Sequence, residues 1–241
     1  METSLTEDAL LGGRIRLLQS RRGYRVAVDA VLLAAAVDPA AGDKVLDIGA
    51  GVGAVGLCLA RRMPDCTVLG IELQPALAEL AVRNATRNGL ADRVRTIVHD
   101  IARPLPRDLR LYEQVCTNPP YLPAASADPS PDPSKALATV ESSANLARWL
   151  DVATGALKPA GILTMIHRAD RLNEIASHLT DLGVCNITVK RLEPINRVLL
   201  RVRRGAMPRL VDAEPLVLHG ADGRYTEAAE AILRHGAPLD F

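Results

Sequence analysis

The stretch that decides the fold runs from Lys44 to Leu57, "KVLDIGAGVGAVGL". Val45 to Ile48 is a short apolar run that reads as a strand and ends in glycines. The next segment, "AVGLCLARRM", has helical periodicity. Gly49, Gly51 and Gly53 stand at alternate positions, where the backbone must turn sharply and approach a ligand closely. A strand, a glycine loop and a helix in this order admit a dinucleotide site, with pyrophosphate at the helix N-terminus. Asp47, on the strand just before the loop, points elsewhere. A carboxylate there repels phosphate and suits a ligand that carries an ammonium group.

Outward from this loop the chain alternates. "CTVLGIEL" reads as a second strand and "PALAELAVRNATRNG" as a helix, with Pro75 in its first turn and Gly89 as its stop. "RVRTIVHD", "YEQVCTN" and "GILTMIH" continue the strands, and "ANLARWLDVATGAL" and "ADRLNEIASHLTDLG" the helices. Such alternation predicts a parallel sheet with helices on both faces. "NITVKRL" and "NRVLLRVRR" are too close in sequence for a crossover helix, so this pair is expected to be antiparallel. A hairpin, "IRLLQ–SRRG–YRVAV", is expected before the apolar helix "DAVLLAAAV", and a mobile loop over Ala124 to Ala138.

Two more acids fall at strand ends. Glu72 closes the second strand, where a carboxylate accepts the hydroxyls of a ribose; Asp100 closes the third, where one accepts from an adenine amino group. Leu73 and Ile101 stand beside them. Ammonium, ribose and adenine together describe S-adenosylmethionine.

"VLDIGAGVGAVGL", "GIEL", "HDI" and "NPPY", in this order, resemble the class I S-adenosylmethionine-dependent methyltransferases of the amino-methylating kind. The resemblance covers roughly residues 40 to 205. It implies a Rossmann-like fold, a mainly parallel seven-stranded sheet with an antiparallel last strand. The cofactor implied is S-adenosylmethionine, with S-adenosylhomocysteine as product, held by Asp47, Gly49, Gly51, Gly53, Glu72, Leu73, Asp100, Ile101 and Asn118. It also assigns the chemistry to Asn118, Pro119, Pro120 and Tyr121 of "VCTNPPYLP". An amino nitrogen conjugated to a ring is a poor nucleophile. It is helped by acceptors that draw its hydrogens, here the Asn118 side-chain oxygen and the Pro119 carbonyl, in a corner stiffened by proline. Tyr121 can stack on a flipped base.

Enzymes with this motif act on adenine N6, cytosine N4, guanine N2 or a glutamine amide. "GYRVAVDAVLLAAA" resembles the bacterial adenine N6-methyltransferases of valine tRNA, with Asp29 to Leu33 as their D-x-x-L-L helix. RNA, and tRNA in particular, is then the expected partner. Arg21, Arg22 and Arg25, with Asp29, are the candidate substrate contacts; Arg197, Arg201 and Arg203 are weaker ones. Residues 1–40 are expected to be a substrate-side extension and 41–241 the methyltransferase domain. His167 is expected to be structural, Trp149 packing, and His99 to face away. A glutamine N5-methyltransferase of release factors, a non-catalytic binding module and a dinucleotide oxidoreductase are the alternatives.

Bulk properties agree. The chain has 241 residues, 48% of them hydrophobic, and a net charge of +1. Five arginines and no acid lie between Arg14 and Arg25, and seven basic residues against one Glu between Lys190 and Arg209. Such patches suit phosphate backbones or solvated faces. Cys58, Cys66, Cys116 and Cys185 are scattered without metal-ligand spacing, which predicts buried thiols and no metal. No apolar run is long enough for a bilayer, and the acidic N-terminus is unlike a secretory signal, so a cytoplasmic enzyme is expected.

Overall fold

Along the strand Lys44–Ile48 (β3), successive side chains enter two different cores. Val45 packs with one apolar cluster, and Leu46 and Ile48 with another. A strand at the centre of a sheet covered on both faces must be apolar on both, which is why this run does not alternate with polar residues. The same division holds for Cys116 against Val115, and for Leu199 against Val198 and Leu200. The computed structural model describes residues 4–106, 109, 111–122, 132–141, 143–184, 186–203 and 209–241.

Around β3 lie Thr67–Glu72 (β4), Val94–Val98 (β5), Tyr112–Thr117 (β6), Leu157–His167 (β7), Asn186–Glu193 (β8), Arg197–Arg203 (β9) and Arg209–Val217 (β10). They form one sheet of eight strands in the order β10-β8-β9-β7-β6-β3-β4-β5. All pairings are parallel except those of β9, which runs against both β7 and β8. The sheet thus carries one strand more than expected, because β10 adds itself to the edge of β8. The antiparallel strand is second from last in the chain.

The first core lies beneath the helices Val28–Ala36 (α1), Ala54–Arg62 (α2), Pro75–Arg87 (α3) and Glu227–His235 (α7). The second lies beneath Leu146–Gly155 (α5) and Leu172–Asp181 (α6). The short helix Pro133–Thr139 (α4) falls within the expected loop, whose residues 124–131 lie outside the described ones.

The N-terminal hairpin is not the expected one. Leu5–Leu10 (β1) pairs with Ile15–Ser20 (β2), and the reversal lies at Leu11, Gly12 and Gly13, with φ of 52°, 64° and 91°. The glycines in "LLGGR" are the stronger turn signal, and Arg21 to Val26 form no strand.

Two asparagines one helical turn apart dock this hairpin. Asn84 of α3 accepts from Leu18 N–H at 2.7 Å and donates to Leu18 C=O at 2.9 Å. Asn88 does the same for Arg16, at 2.9 and 2.7 Å. Alternate strand residues repeat about every 6.8 Å and helical residues i and i+4 about every 6 Å, so the helix serves as a neighbouring strand for the edge of β2. Asn84 also donates to Val52 C=O at 3.0 Å, tying the hairpin to the glycine loop. Asn84→Ala would strand three backbone groups and is expected to cost about 3 kcal/mol. That corresponds to a fall in Tm of roughly 6–12 °C by calorimetry; an unchanged Tm would show that the hairpin is held by other means.

Candidate active site

The carboxyl ends of β3, β4, β5 and β6 open onto one pocket. Asp47, Gly49, Gly51, Glu72 and Asp100 line one end, with Leu73 and Ile101 supplying apolar wall. Asn118, Pro119, Pro120 and Tyr121 line the other. Gly53 is not part of the wall. It is the N-cap of α2 and faces Ala81 of α3 instead.

The glycine loop is fixed by β4. Gly49 and Ala50 N–H groups donate to Ile71 C=O at 2.9 and 3.0 Å, and Gly51 N–H donates to Glu72 Oε2 at 2.9 Å. Glu72 Oε1 accepts from Gln74 N–H at 2.8 Å. Gly49, Gly51 and Gly53 all have positive φ, of 78°, 56° and 86°. At Gly49 space decides as well, since a Cβ there would lie 2.6 Å from Cη2 of Trp149. Trp149 packs against the second core, as expected, and also forms part of the pocket wall, which His99 lines as well. The short helix α4 covers the pocket with Leu137 and Ala138, and Gln74 Nε2 reaches its Ser134 C=O at 3.5 Å.

Burial pushes the Asp47 carboxyl up to about 7, and the charge of Glu72 adds to the shift; the Cys116 thiol and Gly56 N–H oppose it. Burial raises Glu72 too, against the N–H groups of Gln74, Gly51 and Leu73. Asp100 Oδ1 accepts from Ala102 N–H at 2.9 Å and from Ser143 Oγ at 3.4 Å.

The corner at Asn118 follows β6, whose Thr117 Oγ1 donates to Ile48 C=O at 2.9 Å and so ties it to the glycine strand. Both prolines are buried. Tyr121 is gripped on several sides. Its hydroxyl lies 2.6 Å from Asp29 Oδ2 and 2.5 Å from Asn118 Oδ1. The Arg197 guanidinium sits 4.2 Å over its ring, and the His167 ring meets it at 87° with centroids 5.4 Å apart. A flat substrate therefore has only the other face of Tyr121 to stack on. Burial, aided by Arg171, pushes His167 down to about 4, a shift that Pro120 and Arg168 backbone only partly offset, so the ring is neutral at pH 7.

Among the candidate substrate contacts, Arg21 and Arg22 are exposed at the end of the hairpin and enter no ion pair among the described residues. Arg25 is engaged within the hairpin, by Asp8 at 2.6 Å, Thr6 Oγ1 at 2.8 Å and Ser20 C=O at 3.1 Å. Asp29 is buried behind Tyr121 and pairs with Arg197 at 3.1 Å. Arg201 turns inward to Ala36 C=O at 2.7 Å and stacks on Phe241. Tyr24, between the hairpin and α1, also lines the pocket at the Asn118 end. Only the adjacency of "GYR" to the Asp29 helix could have signalled it.

The "Methyltransferase small domain" family profile matches residues 25–130. Over 232 residues the chain is 31% identical to the tRNA1(Val) (adenine(37)-N6)-methyltransferase of Porphyromonas gingivalis, covering 88% of each. An enzyme of the same name from Aeromonas hydrophila is 31% identical over 213 residues, 86% of this chain and 87% of that one. This chain belongs to that methyltransferase family. Among solved structures, a predicted O-methyltransferase from Agrobacterium tumefaciens superposes with a TM-score of 0.71 at 22% identity, over 88% of this chain and 98% of that one. An S-adenosylmethionine-dependent O-methyltransferase from Thermotoga maritima gives 0.55 at 19% identity, over 78% and 69%. These show the fold to be that of the class I methyltransferases.

The enzyme's own residues fit S-adenosylmethionine. Asp47 Oδ2 is buried with no partner among the described residues, as a carboxylate awaiting a cationic group would be. Glu72 Oε2 and Oε1 accept from the Gly51 and Gln74 N–H groups, and the carboxylate retains acceptor capacity for a hydroxyl donor. A Cβ at Gly51, in the pocket wall, would meet no protein atom.

Two expectations follow. Because Asp47 titrates near 7, it is neutral below that pH and ionised above it. Calorimetry with S-adenosylhomocysteine should show affinity rising up to about pH 7, by at most about tenfold per unit, and level beyond. For folding the sign is opposite. The folded pKa lies above the ordinary 3.8, so this group's contribution to stability falls between those values as pH rises. Asp47→Asn should then stabilise the cofactor-free enzyme at about pH 8 by on the order of 1–3 kcal/mol while abolishing binding. A flat affinity profile, or a destabilised variant, would reject both. Trp149 is the chain's single tryptophan, so its fluorescence should change when the cofactor binds; an unchanged spectrum would place the cofactor away from this wall.

Proposed function

We propose that this enzyme methylates N6 of an adenine in tRNA, with S-adenosylmethionine as donor. The observation that carries the reading is the continuity of one pocket from Asp47, whose Oδ2 has no partner among the described residues, to the Asn118–Tyr121 corner. A site for a cationic cofactor and a set of acceptors for an amine therefore meet without an intervening wall. The names of its relatives support adenine and tRNA.

When bound, S-adenosylmethionine supplies a methyl group on a cationic sulfur, open to attack by a nitrogen lone pair. The chain's residues prepare that nitrogen. The Asn118 amide oxygen and the Pro119 carbonyl accept the two hydrogens of the adenine amino group, so its lone pair leaves the ring and turns towards the donor. The buried prolines hold these acceptors in place before reaction, which removes the cost of ordering them. Trp149 and, from α4, Leu137 and Ala138 give the pocket apolar wall. No side chain needs to act as a strong base, because the methylated ammonium product is acidic and loses its proton readily.

Residues 1–40 serve as the substrate-side element of this reading. Tyr24 brings an aromatic side chain to the amine end, and exposed Arg21 and Arg22 supply charge for phosphates at the hairpin's end. We place the enzyme in the cytoplasm, consistent with tRNA as substrate; no helix among the described residues is long and apolar enough to cross a membrane.

The test is methyl transfer from labelled S-adenosylmethionine to unmodified tRNA and, in parallel, to a purified release factor, read by mass spectrometry. Label should appear as N6-methyladenosine; label in the release factor alone would replace the adenine reading with a glutamine one. Asn118→Ala should lower kcat by about 100-fold or more. Turnover kept at the wild-type level would remove Asn118 from the chemistry.

A further inference from the structure

The amine end of the pocket poses a hydrogen-bonding problem. The Tyr121 hydroxyl is within 2.6 Å of Asp29 Oδ2 and 2.5 Å of Asn118 Oδ1, and both are acceptors. A phenol carries one proton, so it can satisfy only one of them; the other contact would set two lone pairs face to face. A half-turn of the Asn118 amide about its terminal bond removes the conflict, since amide oxygen and nitrogen occupy nearly the same space. Nδ2 then donates to the tyrosine oxygen, and the tyrosine proton goes to Asp29.

We infer that Asp29 sets the direction of this chain of hydrogen bonds, and so turns the oxygen of Asn118, rather than its NH2, towards the substrate amine. Asp29 is thereby a positioning residue for methyl transfer, acting through Tyr121. The inference rests on the reading of Asn118 as the amine's acceptor. It follows from what each polarity would present. If Tyr121 donated to Asn118, the amide would offer two N–H bonds to an amino group that needs an acceptor, and the corner would repel its substrate.

The surroundings of Asp29 enforce one polarity. Arg197 Nε donates to the same Oδ2 at 3.1 Å, so that oxygen is an acceptor for both neighbours. Asp29 lies in the first turn of α1, where the helix dipole favours a carboxylate. Its side chain is only 9% exposed, so water is a poor substitute for the tyrosine proton. Arg197 also lies over the Tyr121 ring, which keeps the hydroxyl from swinging out of line. Burial, and then the Asp29 carboxylate, raise Tyr121 far above the ordinary phenol value, so the proton stays on it.

The experiment measures kcat and KM with tRNA, and cofactor Kd by calorimetry, for Tyr121→Phe, Asp29→Ala, the double variant and Asn118→Ala. Tyr121→Phe removes the hydroxyl and leaves the ring beneath Arg197. It and Asp29→Ala should each lower kcat by about tenfold, with KM and Kd within about twofold of wild type. The double variant should be no slower than the slower single one, because both act through one hydroxyl. Wild-type kcat in Tyr121→Phe, or losses that multiply in the double variant, would overturn the inference. Should Asp29→Ala fail to fold, Asp29→Asn keeps an acceptor oxygen for Tyr121 and should hold kcat within about threefold. A loss there equal to that of Tyr121→Phe would count against it. Asn118→Ala separates the two claims. If that variant stays active the acceptor reading itself is wrong; if it is dead while Tyr121→Phe is not, only the role of Asp29 falls.

Discussion

The hydrogen bond from Gly51 N–H to Glu72 binds the glycine loop to the neighbouring strand, and the rest of the site depends on it. Through it β3 and β4 meet at one edge as a rigid shelf rather than as two free strand ends. On that shelf Asp47 and Glu72 are both buried, and burial raises both. Two neighbouring acids in a dry pocket weaken a fold unless something offsets them. Here Glu72 is offset by backbone N–H groups, whereas Asp47 Oδ2 has no partner among the described residues. The chain carries this cost in the cofactor-free state, and a cationic ligand removes it. Binding and stability are thus coupled through one carboxylate.

Much of this was legible in the sequence because the relevant forces are local. The parallel core follows from short apolar runs alternating with amphipathic helices, and β3 and α2 lie where "KVLDI" and "AVGLCLARR" stand. Three acids at strand ends share one pocket because parallel strands deliver their carboxyl ends to one edge. β10 was missed because "RLVDAEPLV" contains a proline and two acids, and it pairs on one side only. An edge strand tolerates such residues, so its pattern is weak. The hairpin was misplaced because its turn was sought among polar residues, whereas Leu11, Gly12 and Gly13 make it.

The amine end was less legible because its residues are brought together by tertiary structure. Tyr24, Asp29, Tyr121, His167 and Arg197 come from four separate segments, and no spacing links them. Asp29 and Arg25 were both read as facing the substrate, since charged residues in a basic segment resemble contacts. Asp29 instead closes on Arg197 and Tyr121, and Arg25 on Asp8. A sequence shows charge but not which charges neutralise one another.

The reversed strand explains how Arg197 reaches the site at all. In a parallel sheet only residues at the carboxyl ends of strands arrive at the ligand edge. β9 runs the other way, so its first residue lies there, and the Val198–His167 pairing places Arg197 just beyond the end of β7. A parallel β9 would present Arg203 at that edge and bury Arg197 at the far side. The reversal thus brings a cation to a place where the neighbouring strand ends bring buried acids and a proline corner. That cation holds Tyr121 by its face and Asp29 by its oxygen at once. Sheet topology, settled by a connection too short for a helix, in this way decides the electrostatics around Tyr121.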